Sequence, residues 1–160
     1  MKWIKCEIDK CVGCRLCQVA CAFRETRQFN RGSARIVVKG IPEEGLHIPV
    51  YCINCEEAPC ISNCPNGAIE RQAETGAIVI DLSNCSACGV CISSCPIGAI
   101  NKNLLGLPQK CDGCHGRPAC VEFCPTGALT FTDVSTESTR DYFETVRALN
   151  KRLEGDRGRC

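Results

Sequence analysis

Cysteines are the residues whose number and spacing could do chemistry in this chain of 160 residues, which contains 18 of them. Sixteen fall into four short quartets. The quartets are Cys11, Cys14, Cys17 and Cys21; Cys52, Cys55, Cys60 and Cys64; Cys85, Cys88, Cys91 and Cys95; and Cys111, Cys114, Cys120 and Cys124. Because zinc and iron–sulfur clusters are both bound by thiolates, four close cysteines predict a metal centre for each quartet.

The third quartet has the spacing C-x2-C-x2-C-x3-C-P over residues 85–96. Three thiolates at successive x2 steps can bind three irons of one [4Fe–4S] cluster from a single loop, while the fourth, followed by proline, binds a neighbouring cluster. The first quartet has the same steps. The second and fourth have a wider gap between their second and third cysteines, which changes the shape of the loop and not the number of ligands. The sequence therefore predicts four [4Fe–4S] clusters and a protein that carries electrons.

Zinc sites and disulfides are the two other uses of so many cysteines. A tetrahedral zinc site usually takes two close pairs separated by a longer loop, which the first and third quartets do not offer. A secreted disulfide scaffold would need a signal peptide, but residues 1–7 carry charges where its apolar core would lie. Since no apolar stretch is long enough to span a membrane, we expect a cytoplasmic protein whose thiols are available for cluster assembly.

Composition and charge narrow the function further. Without cysteine, the apolar content of 44% falls to about a third, so we expect metal–sulfur bonds to hold the fold together. The formal charge is +1, but four clusters with their thiolates would lower it to about −7. Such a charge argues against nucleic acid as a partner.

A repeat follows the last three quartets, where Cys64, Cys95 and Cys124 each begin the sequence Cys-Pro-x-Gly-Ala. Proline ends the preceding helical turn, and glycine allows the tight reversal into a strand. Hydrophobic patterning predicts strands over residues 3–8, 34–39, 46–51, 69–71 and 77–81, and a helix over residues 17–27. This is the order of a ferredoxin unit: strand, cluster loop, helical turn, strand.

The C-terminal segment has a different pattern. A capping box at Ser138–Asp141 and an apolar stripe predict a helix that ends at Gly155. The stripe consists of Tyr142, Phe143, Val146, Leu149 and Leu153. It could pack on the ferredoxin core, which we favour, or dock on a partner subunit.

Two cysteines and both histidines lie outside the predicted ligand sets. We expect Cys6 to be a buried apolar residue of the first strand and Cys160 to be an exposed free thiol. His115 is expected to be an exposed loop residue, although it could donate a hydrogen bond to a cluster sulfur. His47 is expected to lie on a strand surface.

Charged neighbours distinguish the quartets. Lys10, Arg15 and Lys110 flank the first and fourth, whereas Glu56 and Glu57 lie within the second. Because a cation favours the more negative reduced state, we expect the first and fourth clusters to hold electrons more readily.

Over about residues 3–131 the chain resembles the four-cluster iron–sulfur subunits of molybdenum and tungsten oxidoreductases. It also resembles related ferredoxin-like subunits of carbon monoxide dehydrogenase and hydrogenase systems. The motifs that carry the resemblance are Cys52–Pro65 and Lys110–Ala128. The short loop between Cys114 and Cys120, with no long C-terminal extension or membrane anchor, is most similar to the compact small subunit of tungsten-type aldehyde oxidoreductases.

The resemblance implies an exchange of ligands between quartets. The implied sets are Cys11, Cys14, Cys17 and Cys124; Cys111, Cys114, Cys120 and Cys21; Cys52, Cys55, Cys60 and Cys95; and Cys85, Cys88, Cys91 and Cys64. The implied fold is α+β, with two bacterial-ferredoxin-like modules, one inserted in the other, and a C-terminal helix. Residues 1–45 and 102–134 would form the outer module, residues 46–101 the inner one, and residues 135–160 the helix and tail.

The resemblance also implies a function without a catalytic site. The chain would relay single electrons between a tungsten or molybdenum pterin catalytic subunit, facing the Cys11 cluster, and a flavin subunit or ferredoxin. The sequence offers no nucleophile–base pair, phosphate loop or dinucleotide fingerprint. The alternatives are the same relay in a hydrogenase, formate or carbon monoxide dehydrogenase complex, or a zinc-stabilised scaffold. Contact with a second copy of the chain is a further expectation.

Overall fold

The computed structural model describes residues 2–157, with side chains through residue 154. Within these residues the fold is α+β, built from short strands in antiparallel pairs and five α-helices. The strands are β1 (Lys2–Cys6), β2 (Val37–Ile41), β3 (Leu46–Val50), β4 (Ile69–Arg71), β5 (Ile78–Ile80), β6 (Ile100–Lys102), β7 (Pro108–Lys110) and β8 (Leu129–Asp133). The helices are α1 (Leu16–Thr26), α2 (Pro59–Ser62), α3 (Val90–Ser94), α4 (Ala119–Glu122) and α5 (Thr136–Arg157).

Element bounds differ from the sequence prediction at two strands. The first strand ends at Cys6, because Ile8–Lys10 form a 3-10 turn that leads into the first cysteine loop. The strand predicted over residues 34–39 begins at Val37 and continues to Ile41. The predicted helix after the first loop, strand β3 and the β4–β5 hairpin are confirmed within one or two residues.

Strand and helix pairing brings distant cysteine loops together. β1 pairs antiparallel with β8, and Cys6 lies opposite Leu129. α1, which carries Cys17 and Cys21, packs on α4, which carries Cys120. α2 packs on α3. The loops of the first and fourth quartets are therefore neighbours, and so are those of the second and third.

The core consists of a main cluster and a smaller one. The main cluster joins β1, β2, β3, α1 and α5 around fully buried Ile36, Ile48 and Tyr51. The smaller cluster joins Ile69, Ile78 and Ile100 with two cysteines. Cysteines are part of both clusters, so the metal ligands predicted from the sequence also fill the interior.

α5 begins at Thr136, two residues before the predicted capping box. The Ser135 hydroxyl accepts a hydrogen bond from the backbone N–H of Ser138 at 3.1 Å, so Ser135 provides the N-terminal cap. The predicted end at Gly155 is wrong as well, because the helix continues to Arg157. Cys160 lies outside the described residues.

The apolar stripe of α5 packs on the chain's own core, as favoured from the sequence. Tyr142, Val146 and Leu149 are buried in the main cluster. The Tyr142 hydroxyl donates to the carbonyl of Pro49 at 2.5 Å, and its ring stacks on Tyr51 with a centroid distance of 5.0 Å. None of the helices in the described part of the chain is long and apolar enough to cross a membrane.

Candidate metal centres

Two cavities are each lined by four cysteines. Cys52, Cys55, Cys60 and Cys95 line one of them, whose other walls are mainly apolar side chains. The second is lined by Cys64, Cys85, Cys88 and Cys91. Each set combines three cysteines of one quartet with the last cysteine of another.

Two further groups of thiols are identified by their mutual electrostatic influence. Burial raises the pKa of Cys17 to about 12, and the thiols of Cys11, Cys14 and Cys124 add to this shift. The structure therefore brings these four cysteines close to one another.

The fourth group lies deepest. Burial raises the pKa of Cys120 far above its ordinary value, and the thiols of Cys111, Cys21 and Cys114 contribute most to the rest of this rise. All four of these cysteines are buried. As cluster ligands, the sixteen cysteines stay a prediction of the sequence.

The four groups follow one another in a row. Cys17 of the Cys11 group also raises the pKa of buried Cys120, and Cys52 likewise adds to the rise that burial causes in the pKa of Cys111. Cys60 and Cys91, from the two remaining groups, lie in the smaller core cluster. The order is therefore the Cys11 group, the Cys111 group, the Cys52 group and the Cys85 group.

The first cysteine of every quartet accepts a hydrogen bond from the backbone N–H two residues later. That residue has a left-handed backbone in each loop, with φ between 52° and 74°. The donors are Gly13, Asn54, Ala87 and Gly113, and the acceptors are the sulfurs of Cys11, Cys52, Cys85 and Cys111. An N–H aimed at sulfur stabilises a thiolate, so the four loops are shaped alike for metal binding.

In three quartets, the backbone N–H of the residue four positions later points at the sulfur of the last cysteine. The Ala68 N–H donates to the Cys64 sulfur at 3.3 Å, and the Ala99 N–H donates to Cys95 at 3.2 Å. Around Cys124, the backbone N–H groups of Leu129 and Ala128 both help to lower the pKa of the thiol. The glycines of the Cys-Pro-x-Gly-Ala repeat have positive φ, and this turn directs the alanine N–H at the sulfur.

The first quartet uses a different donor, which the sequence analysis missed. Cys21 lies within α1, and its sulfur accepts from the backbone N–H of Arg35 at 3.3 Å. The absence of a Cys-Pro-x-Gly-Ala repeat after Cys21 was the feature that could have indicated a donor from elsewhere in the chain.

The Arg35 side chain also joins this region to the fourth quartet. Its guanidinium forms ion pairs of 2.5 Å with both Glu25 and Asp112. Burial opposes ionisation of Asp112, but Arg35 and the Cys114 N–H outweigh it and lower the pKa of that carboxyl. Glu25, Asp112 and Cys114 lie close enough together to hold a metal ion, yet both carboxylates are already ion-paired with Arg35.

The remaining sequence predictions have mixed outcomes. Cys6 is half-buried on β1, near Cys11 and Cys124. His115 is exposed, as predicted, whereas His47 is half-buried rather than on the surface. The His47 imidazole packs so closely on the first loop that a Cβ at Gly13 would lie 2.6 Å from it.

The donor set fits [4Fe–4S] clusters. Each group offers four sulfurs, and within residues 2–157 all the cysteines are free of disulfides. Burial raises the pKa of many of these thiols, for example that of Cys55 to about 11, so metal binding must displace protons. The N–H···S hydrogen bonds are of the kind that tunes iron–sulfur clusters.

Comparison with known families agrees with this donor set. Residues 44–134 match a family described as "4Fe-4S dicluster domain", and residues 8–24 match one described as "4Fe-4S binding domain". The chain belongs to the 4Fe-4S dicluster domain family. The first match includes three of the four quartets, and the second match includes all four cysteines of the remaining one.

Curated relatives of this chain are similar to it over most of their length. The "Aliphatic sulfonate oxidoreductase, polyferredoxin-like subunit" of Pyrococcus furiosus is 34% identical over 145 residues, covering 89% of this chain and 83% of the relative. The "Thiosulfate reductase electron transfer subunit PhsB" of Salmonella typhi is 36% identical, covering 76% and 70%. "Electron transport protein HydN" of Escherichia coli K12 is 34% identical, covering 82% and 88%.

A solved structure is similar to this chain over almost its whole length. It is a chain of the "Active site complex BamBC of Benzoyl Coenzyme A reductase in complex with Zinc". The TM-score is 0.51 and the sequence identity is 26%, covering 92% of this chain and 90% of that chain.

Proposed function

We propose that this chain is an electron-transfer subunit that relays single electrons through four [4Fe–4S] clusters. The observation that carries the proposal is the row of four four-cysteine groups, which begins and ends at exposed Cys14 and Cys88. A relay needs an entry and an exit near the surface, and its central groups can be buried. Relatives named for electron transfer or electron transport support the same function.

The ligand sets of the proposal are the four groups described above. Exchange of the last cysteine between paired quartets would make two modules. The inner module, residues 46–101, would be inserted between the two parts of the outer module, residues 1–45 and 102–134. Pairing of β1 with β8 supports this arrangement, since it joins the first strand to the last strand before α5. Packing of α1 on α4, and of α2 on α3, supports it as well.

A catalytic subunit is the proposed partner at the Cys11 group. Three large apolar side chains beside its cysteines are exposed, namely Val12, Leu16 and Phe123. An apolar surface of this kind suits a stable subunit interface. We propose a tungsten or molybdenum pterin subunit there, most like a tungsten-type aldehyde oxidoreductase, and a flavin subunit or ferredoxin at the Cys85 group.

The second candidate is the same relay for another catalytic partner, such as a hydrogenase, formate or carbon monoxide dehydrogenase. The observation in its favour is the diversity of the relatives, whose printed names include sulfonate and thiosulfate enzymes and a protein named only for electron transport. In either complex the chain itself would not be the enzyme. The proposed location is the cytoplasm.

Metal analysis and co-purification test this function together. We expect about 16 iron and about 16 acid-labile sulfide per chain under anaerobic handling. The partner co-purified from the native source should contain tungsten or molybdenum and should reduce the chain in the presence of its substrate. The chain alone, once reduced, should reduce artificial dyes but oxidise no aldehyde, formate or hydrogen. Turnover of such a substrate by the chain alone, shown to be free of tungsten and molybdenum, would overturn the proposal. Zinc in place of iron would favour a scaffold.

A further inference from the structure

Lys110 is a buried cation beside the cysteines of the second quartet. It is the last residue of β7, and only 4% of its surface is exposed. Its side chain lines the same cavity as Cys52, Cys55, Cys60 and Cys95. The sequence placed Lys110 next to the fourth quartet, but the fold turns its side chain toward the second.

Two hydrogen bonds fix the position of the ammonium group. Its Nζ donates to the carbonyl of Ile78 on β5 and to the carbonyl of Cys111 at 3.1 Å. The Ile78 N–H in turn donates to the side chain of Asn54 in the second cysteine loop at 3.0 Å. The charge is therefore held in place by the strand that closes on this loop.

This ammonium has no carboxylate partner. Across residues 2–154, no Asp or Glu oxygen lies within ion-pair distance of it. A buried charge without a counter-charge is strongly unfavourable, because carbonyl dipoles solvate it only in part. The nearest source of negative charge is sulfur, and Lys110 does act on Cys60, where its field partly offsets the rise in pKa that burial causes.

We propose that Lys110 raises the reduction potential of the cluster bound by Cys52, Cys55, Cys60 and Cys95. This inference rests on the proposed function. When one electron enters from an external reductant, the charge of the cluster with its four thiolates changes from about −2 to about −3. A fixed cation nearby stabilises the more negative state, and its effect is strong because burial limits solvent screening. Lys110 is thus a positioning residue, since it acts on the cluster and binds no iron.

Lys10 and the two glutamates of the second loop are arranged less favourably for such an effect. Lys10 is exposed and is paired with Glu7 at 2.8 Å, so solvent and a carboxylate both screen it. Glu56 and Glu57 of the second loop are exposed. From its acidic neighbours, the sequence predicts that the second cluster holds electrons less readily than the first and fourth. With Lys110 beside it, we expect this cluster to be among those that are reduced most readily.

Redox titration of the anaerobically purified, iron-loaded chain tests this inference, with electron paramagnetic resonance as the readout and dithionite as reductant. The signal of the second-quartet cluster is first assigned as the one changed in Cys60→Ser. The test variants are Lys110→Met, which removes the charge, and Lys110→Arg, which keeps it. Lys102→Met is the matched control, because Lys102 is exposed on β6, the partner strand of β7.

We expect Lys110→Met to lower the midpoint of the assigned signal by at least 59 mV, a tenfold change in the one-electron equilibrium constant. Lys110→Arg and Lys102→Met should shift it by less. Loss of that cluster in Lys110→Met but not in Lys110→Arg would also support a role for the charge. An unchanged midpoint in Lys110→Met with its full iron content, or loss of the cluster in both Lys110 variants, would overturn the proposed effect of the Lys110 charge. The iron content of the wild-type chain is measured first. A wild-type chain with fewer than four clusters would contradict the proposed function, whereas a negative result with four clusters present would contradict only the role of Lys110.

Discussion

The indole N–H of Trp3 donates a hydrogen bond of 2.8 Å to the backbone carbonyl of Cys52. The indole ring also packs so closely on Gly113 that a Cβ there would lie 2.6 Å from it. One side chain of β1 therefore contacts the loops of both the second and the fourth quartets. Through Trp3, the two central cysteine groups are held at a fixed separation.

Replacing Trp3 with phenylalanine should loosen this connection. Trp3→Phe keeps an aromatic ring but leaves the buried carbonyl of Cys52 without its donor, which we expect to cost about 1–3 kcal/mol of unfolding free energy. Anaerobic denaturant titration of the iron-loaded chain measures the change. Phe29→Leu, at an exposed aromatic residue, is the control and should have little effect. Equal stability of Trp3→Phe and wild type would show that the hydrogen bond contributes nothing.

Gly113 should tolerate alanine worse than a glycine of similar backbone conformation. Gly113 has φ +74° and faces Trp3, whereas Gly116 has φ +83° and nothing within 4 Å of an added Cβ. Both substitutions carry backbone strain of about 1–2 kcal/mol, and Gly113→Ala adds a clash of about 1–3 kcal/mol. We expect Gly113→Ala to unfold at lower denaturant and to lose iron, and Gly116→Ala to retain it. The opposite order would contradict the close packing of Trp3.

Cys124→Ser should affect the cluster of the first quartet rather than that of its own. The mutation removes the fourth thiol of the Cys11 group, so about four of the sixteen irons should be lost or altered in spectrum. Iron analysis and paramagnetic resonance measure this, with Cys6→Ser as a neighbouring cysteine outside the four groups. Cys124→Ser and Cys17→Ser should change the same signal. If Cys124→Ser instead matched Cys120→Ser, the exchange of ligands would be refuted.

Arg35 should be needed to hold α1 against the fourth loop. Arg35→Met leaves Glu25 and Asp112 close together without their shared ion-pair partner, and we expect a loss of about 2 kcal/mol, since the pairs are partly solvent-screened. Denaturant titration measures the loss, and Arg31→Met, at an exposed arginine, is the control. The double substitution Arg35→Met with Asp112→Asn should recover part of the stability. No recovery would indicate that the arginine acts by packing alone.

Short-range features were predictable from the sequence. The cysteine spacing and the Cys-Pro-x-Gly-Ala repeats indicate loops that close within a few residues, and the structure contains those turns. The stripe of α5 was predictable because Val146 and Leu149 follow a helical period. The cap at Ser135 was missed because Ser135 and Ser138 have the same type of side chain, and only the backbone path shows which one accepts.

Long-range contacts were not predictable in this way. The backbone N–H of Arg35 donates a hydrogen bond to the Cys21 sulfur, and no local sequence pattern identifies that donor among the residues after α1. Lys110 stands next to Cys111 in sequence, but the direction of its side chain depends on how β7 packs beside β5. The grouping of cysteines from different quartets came from resemblance to a family, because spacing alone does not say which loops meet.

The difference in depth between the cysteine groups has a consequence for handling the protein in air. Cys14 and Cys88, at the two ends of the row, are exposed, whereas the four cysteines of the Cys111 group are buried. Oxygen and chelators reach exposed sulfur first. With clusters in the proposed positions, the two ends should degrade before the centre. A preparation exposed to some air would then keep its inner clusters and its colour. It would lose the terminal clusters, and with them its ability to exchange electrons with a donor or an acceptor.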